Sequence, residues 1–370
     1  MAVKRLLCIV GSMDAGGAET FLMKVYRGLD KTKYQMDFAV AKEEKGCYDD
    51  EILSMGGKIF HIVPKSKGLI KNFNDIRKLV KREKYKYVLR TSQNSLSALE
   101  LFAAKLGGAK VRVYRSSNSS INTAKENIFH KLFGFMTRIF PNVRIAPSTE
   151  AAEFMFGKKC VKRGKAHLLH NGLDVSQFRF DPETRDAVKE QFDLEGKLVV
   201  GHVGRFNVQK NHGFLIDVFK EVSLKCENAV LMLVGVGELE QEIRKKVSAL
   251  GLDDKVIFMG RRSDVPRLLS AFDLMLMPSL YEGMPNVVIE AQATGLPCVI
   301  SDTITPEADI TGLVSYMPLS AATDTWADKV LETVEKTARK DTSEQFEKEG
   351  YELSAVTRKF VDLIFEGETE

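Results

Sequence analysis

Short apolar runs alternate along this chain with longer stretches whose apolar residues recur every three or four positions, a pattern of strands alternating with helices. In the first half the runs predict strands over Arg5–Val10, Met36–Val40, Lys58–Val63, Tyr87–Thr91, Val111–Tyr114 and Arg144–Pro147. A second series covers Leu198–Val203, Ala229–Val234, Lys255–Met259, Leu274–Met277, Cys298–Ser301 and Gly312–Tyr316. Two doubly wound α/β domains are the expectation, 1–175 and 176–370, with the C-terminal helix free to pack back on the first. The polar stretch Val175–Thr184, which holds Pro182, reads as the linker, and the acidic tail Glu366–Glu370 as frayed.

Open parallel sheets bind ligands beyond the carboxyl ends of their strands. The residues with chemistry to offer follow predicted strands. After Leu274–Met277 comes PSLYEGMPNVVIEAQATGLPC, residues 278–298, with Glu282 on a predicted loop and Glu290 on a helix predicted over Val287–Thr294. Helical side chains tilt toward the N-terminus, so Glu290 reaches back toward the crevice that Glu282 faces. The backbone N–H groups of Gly283, Met284, Asn286 and Val287 lie at that helix start, where a phosphate is favoured. On the residues alone, the acid pair equally suits a capped helix with a solvated face.

After Leu198–Val203, the loop beginning at Gly204 delivers Arg205 and Lys210 to one strand end, a pair suited to a diphosphate leaving group or to plain surface charge. Gly16 and Gly17, after the first strand, and Gly235, after Ala229–Val234, permit close backbone approach. Neither a P-loop nor G-x-G-x-x-G spacing is present near Gly16, which excludes both phosphate-loop readings there.

Composition describes a globular protein: 370 residues, 44% hydrophobic and 28% charged. No apolar run approaches the roughly 20 residues that span a bilayer, and a cytoplasmic protein is expected. Five scattered cysteines argue for neither a disulfide framework nor a zinc site. Residues 1–180 hold 33 Lys and Arg against 16 Asp and Glu, a net +17, while the remainder is −13. The basic half lacks the motifs of nucleic-acid modules, so no nucleic-acid partner is expected, and an anionic membrane leaflet is the favoured surface. Lys125–Phe140 carries a broad apolar stripe with Lys125, Lys131 and Arg138, a pattern shared by core helices and membrane-docking ones. His167 and His170, three apart on a strand, point to opposite faces, and the other histidines form no ligand spacing; metal-independent chemistry with no cofactor is expected.

Taken together, Gly16-Gly17-Ala18-Glu19, Arg205-x4-Lys210, Gly235-Val236-Gly237 and Glu282-x7-Glu290 resemble, in order and separation, the retaining glycosyltransferases of family four, which have the GT-B fold of two Rossmann-like domains facing across a cleft. The likeness runs over nearly the whole chain, is strongest from Gly201 to Ser301, and points toward bacterial exopolysaccharide and capsule enzymes. It implies that Glu290 holds the ribose hydroxyls of a nucleotide, that Glu282 holds the donor sugar, and that Arg205 and Lys210 clamp the diphosphate in place of a metal. It also sets the Gly16–Glu19 loop against the diphosphate, Arg261 on the base side, and His170–Asp174 as a hinge element. The implied partners are a nucleotide-sugar donor, most simply a UDP-sugar, and a saccharide or lipid-linked acceptor. Where the family often carries His-Ser-His-Asn, this chain has Arg115-Ser116-Ser117-Asn118, and Arg115 and Asn118 are expected on the acceptor side. A non-catalytic partner subunit and a sugar-nucleotide epimerase or phosphorylase of the same fold are the alternative readings.

Overall fold

The computed structural model describes residues 3–14, 16–116, 130 and 132–367. Two units divide the chain: residues 1–172 with 350–370, and residues 173–349.

The first unit holds seven parallel strands, β1 Lys4–Val10, β2 Tyr34–Val40, β3 Ile59–His61, β4 Tyr87–Ser92, β5 Val111–Ser116, β6 Val143–Ala146 and β7 His167–Leu168, in the order β3-β2-β1-β4-β5-β6-β7. Successive residues of β1 serve opposite faces: Leu6, Cys8 and Val10 join one core, Leu7 and Ile9 the other. Helices cover both faces, which is why these strands read as continuous apolar runs.

Residues 350–367 complete this unit. The helix Leu353–Val361 packs on the helix Gly17–Gly28, and Val356, Phe360, Ile364 and Phe365 join the core beside Phe21 and Tyr26. Phe365 lies 4.8 Å from Tyr34 and 5.1 Å from Tyr87 between ring centroids. Each such side chain contributes about 1.5–3 kcal/mol on burial. Glu366, expected to fray, accepts from Lys4 Nζ at 2.7 Å and from Tyr34 Oη at 2.8 Å.

The second unit holds β8 Leu198–Val203, β9 Ala229–Val234, β10 Val256–Gly260, β11 Leu274–Met277, β12 Cys298–Ser301 and β13 Val314–Met317, all parallel, ordered β10-β9-β8-β11-β12-β13. Strands β9, β11 and β12 are buried along their whole length. The stretch read as a linker is largely ordered: a 3₁₀ turn at Val175–Phe178 precedes a helix at Pro182–Gln191. Asp181 explains the start, since its carboxylate accepts from the Thr184 amide at 3.0 Å while Pro182 fixes the first helical φ.

Sheet order reverses between β8 and β11, the topological switch point of this unit. The two segments singled out from the sequence, the loop after Val203 and the loop after Met277, leave those two strands.

Candidate functional site

The loop after β8 is a closed turn. Asn207 Oδ1 accepts from the Lys210 amide at 3.1 Å, capping a 3₁₀ turn at Val208–Lys210, and Asn211, with φ 54°, redirects the chain into the helix His212–Lys225. Gly235, at φ 144°, closes against this loop, and a Cβ there would overlap the Gly204 carbonyl. A Cβ at Gly237 would likewise strike the Phe206 backbone. These glycines allow one loop to approach the other closely.

Arg205 and Lys210 both reach the β8 end but in different settings. Arg205 is exposed and donates to Glu238 at 3.1 Å, a solvent-screened surface pair that is readily exchanged. Lys210 is largely buried, its Nζ 2.6 Å from Glu282 Oε1. Glu282 sits on the loop after β11, and Glu290 is half-buried on the helix Asn286–Ala293, as the spacing predicts. Pro285 caps that helix and its carbonyl accepts from the Val288 amide at 3.0 Å. Gly283 precedes it, and Met284 and Val287 turn their side chains to the core. Asn286 is exposed at the first helical position. Arg261 follows β10 directly and is exposed at the same sheet end.

Beneath the loop lies a histidine pair that the sequence analysis left unassigned. His202 on β8 and His212 on the following helix are buried, their ring centroids 4.7 Å apart. His202 Nδ1 hydrogen-bonds the Leu276 carbonyl at 2.8 Å, whereas its Nε2 and both nitrogens of His212 have no partner. Burial, reinforced by the Lys210 charge, pushes His212 down to about 4, and burial holds His202 well below the ordinary imidazole range. A histidine inside an apolar strand was the available signal.

In the first unit, Gly16 caps the helix that Gly17 begins, and a Cβ on Gly16 would collide with the Glu19 carboxylate. Arg115, expected to line an acceptor surface, is instead buried: its guanidinium lies 3.7 Å from the Phe21 ring centroid and donates to Asn171 Oδ1 at 2.6 Å. Burial pushes it down to about 9. Asn118 lies outside the described residues, as do 125–129 and 131 of the apolar stripe. His170, in the hinge element, stacks on Tyr351 at 4.0 Å and bonds the Pro147 carbonyl at 3.0 Å. A charged group missed from the sequence is Arg90 on β4, which donates to the Ile9 carbonyl at 2.9 Å and sits 2.6 Å from Glu100. Among the described residues no three His, Cys, Asp or Glu side chains gather as a metal site.

Two family patterns match this chain: one described as Glycosyltransferase Family 4 over residues 15–177, the other as Glycosyl transferases group 1 over residues 197–336. The glycosyltransferase named EpsF of Bacillus subtilis (strain 168) is 35% identical over 335 residues, spanning 88% of this chain and 87% of that protein. The chain belongs to the family-four glycosyltransferases.

The UDP-Gal:alpha-D-GlcNAc-diphosphoundecaprenol alpha-1,3-galactosyltransferase of Escherichia coli is 27% identical to this glycosyltransferase over 240 residues, 63% of this chain and 62% of its own. Among solved structures, Alr3699/HepE of Anabaena in complex with UDP superposes with a TM-score of 0.76 at 18% identity, covering 97% of this chain and 99% of that one. The glycosyltransferase chain therefore has the GT-B fold, its two parallel sheets being those of the two units above. The same Anabaena protein is also known bound to UDP-glucose.

Proposed function

We propose that this glycosyltransferase is a retaining hexosyltransferase that moves a sugar from a UDP-sugar to a lipid-linked saccharide during assembly of a surface polysaccharide. The observation that carries the reading is the meeting, at the β8/β11 switch point, of Lys210 with Glu282 on adjoining loops, with Arg205 exposed on the same loop as Lys210. In this reading Arg205 and Lys210 neutralise the charge that grows on the departing diphosphate, so the step needs no divalent cation. Glu290 takes the ribose hydroxyls, Glu282 the sugar hydroxyls, and the amides at Gly283, Met284, Asn286 and Val287 face the phosphate, with Arg261 toward the base. Neither acid acts as a covalent nucleophile, unlike the carboxylate pair of retaining glycosidases. The diphosphate-lipid acceptor named for the Escherichia coli relative supports the acceptor class, and UDP bound to the Anabaena neighbour supports the nucleotide.

A membrane surface suits such an acceptor. Leu132, Phe135 and Ile139 are exposed, and near Arg138 a surface cavity is lined by Arg144, Lys158, Lys159, Arg163 and Lys165. No described helix is long and apolar enough to cross a membrane.

Calorimetry with UDP, GDP and ADP, with magnesium and with EDTA, tests the donor site on wild type and Arg205→Ala/Lys210→Ala. Micromolar UDP binding that survives EDTA and is lost in the double variant is expected. Binding without transfer to any acceptor would instead mark a partner subunit, and acceptor-independent conversion of the sugar an epimerase.

A further inference from the structure

Consecutive residues of the loop after β8 grip the loop after β11. Asn211 Nδ2 donates to the Pro278 carbonyl at 3.1 Å, and the Gln209 carbonyl accepts from the Leu280 amide at 2.8 Å. Gln209 Nε2 donates both to the Tyr281 carbonyl, at 3.0 Å, and to Glu282 Oε2, at 3.1 Å. From the other side, Ser301 Oγ and Thr303 Oγ1 donate to the Ser279 carbonyl at 2.5 and 2.9 Å. The backbone leading to Glu282 is therefore fixed, and its carboxylate is held at both oxygens, Oε1 by Lys210 and Oε2 by Gln209. The two grips differ in chemistry, since one is a cation and the other a neutral amide.

We propose that Gln209 is a positioning residue that keeps Glu282 aimed while Lys210 is transferred from Glu282 to the donor diphosphate, so that nucleotide binding itself frees the carboxylate oxygen that recognises the sugar. The inference rests on the reading of the second unit as a nucleotide-sugar site. An arriving diphosphate competes with Glu282 for the Lys210 ammonium, because both are anions and the lysine stem has rotatable bonds that can re-aim its charged end. Once Lys210 has moved, Oε1 is an acceptor with no donor, which is unfavourable at a carboxylate only 9% exposed. A sugar hydroxyl can supply that donor. Gln209, carrying no charge, is not drawn to the phosphate and stays on Oε2. A cation at this position would follow the phosphate, and a carboxylate would repel Glu282. Sugar recognition is thereby coupled to occupation of the diphosphate site.

The test compares UDP with UDP-glucose, UDP-galactose and UDP-N-acetylglucosamine by calorimetry and steady-state kinetics, with thermal unfolding to verify that each variant is folded. Wild type should bind its donor more tightly than UDP. Gln209→Ala should hold UDP within about twofold of wild type while losing about tenfold in donor affinity, the size expected for a hydrogen bond to a charged group, with the loss appearing in KM. Glu282→Gln, which releases Lys210, should bind UDP about tenfold more tightly yet lose its preference for the sugar-bearing donor. Gln209→Glu should be worse than Gln209→Ala at neutral pH and recover as the pH falls. Equal weakening of UDP and donor in Gln209→Ala, or weaker UDP binding by Glu282→Gln, would overturn the inference while leaving the donor site standing. Failure of wild type to bind any uridine nucleotide would overturn the functional reading and the inference with it.

Discussion

The Phe206 ring lies flat on His212, centroids 4.2 Å apart and planes 17° apart, so the aromatic floor beneath the loop after β8 includes a neutral imidazole with no hydrogen-bond partner. The native state disfavours protonation of His212 by holding it at about 4, below the ordinary 6.5. Above pH 6.5 both folded and unfolded chains carry it neutral and stability is complete. As pH falls from 6.5 toward 4 the unfolded chain takes up the proton first, and about 3 kcal/mol is lost at most. Urea unfolding at pH 7.5 and 4.5 measures this. His212→Phe should shrink the difference between the two pH values, a comparison in which any pH-independent repacking cost cancels.

Gly235→Ala should harm the site more than the fold. The new methyl meets the Gly204 carbonyl at a φ of 144°, a setting whose strain costs about 1–3 kcal/mol, and the loop bearing Arg205 must shift. UDP affinity should fall at least about tenfold with a cooperative unfolding transition retained. Gly213→Ala, on the adjoining helix where only the Lys246 ammonium lies within 4.0 Å, should instead stabilise by about 0.5–1 kcal/mol.

Arg339 is a half-buried anchor of the second unit. It donates to the Thr294 carbonyl at 2.7 Å and to Leu269 and Ser270 carbonyls at 2.6 and 3.1 Å, and its Cζ lies 4.5 Å from the Phe180 ring centroid. Burial pushes it down to about 10, yet it remains charged at neutral pH. Arg339→Ala should cost about 3–5 kcal/mol, read from chemical denaturation, because the carbonyls are left without donors. Arg339→Lys should rescue little, since one ammonium cannot reproduce the planar fork.

Flotation with vesicles tests the membrane reading. Binding to vesicles rich in anionic lipid, weakened by raising salt beyond 0.5 M and lost in Phe135→Glu/Ile139→Glu, is expected. Both side chains are exposed, so the double variant should unfold at an unchanged temperature.

The strands were legible because a parallel strand buried on both faces shows in sequence as an uninterrupted apolar run, as Ala229–Val234 does. Strand β7, read from the sequence as carrying both His167 and His170, is only two residues long and ends at Leu168, short of His170. Placement of Glu282 and Glu290 followed from their spacing around Pro285. Their company did not: Lys210 is 72 residues from Glu282, and nothing local foretells that the two touch. The supposed linker was misread because polarity outweighed the Asp181-Pro182 start signal. Arg115 was expected on the acceptor side because the apolar run ends at Tyr114, whereas β5 continues to Ser116 and carries the Arg115 side chain into the interior.

The return of residues 350–367 to the first unit sets when, during synthesis, each unit has all of its residues. The second unit is one continuous stretch, complete in sequence while the last helix is still unmade. The first unit, although begun earlier, lacks the side chains of Val356, Phe360, Ile364 and Phe365 until the ribosome has passed them, and its Phe21 and Tyr26 face remains uncovered. Domains generally mature in N-to-C order, but here the first unit has all its core residues only after the second unit does. The part of the chain that emerges first therefore cannot bury its Phe21 and Tyr26 face in the native way until nearly all of the chain has been made.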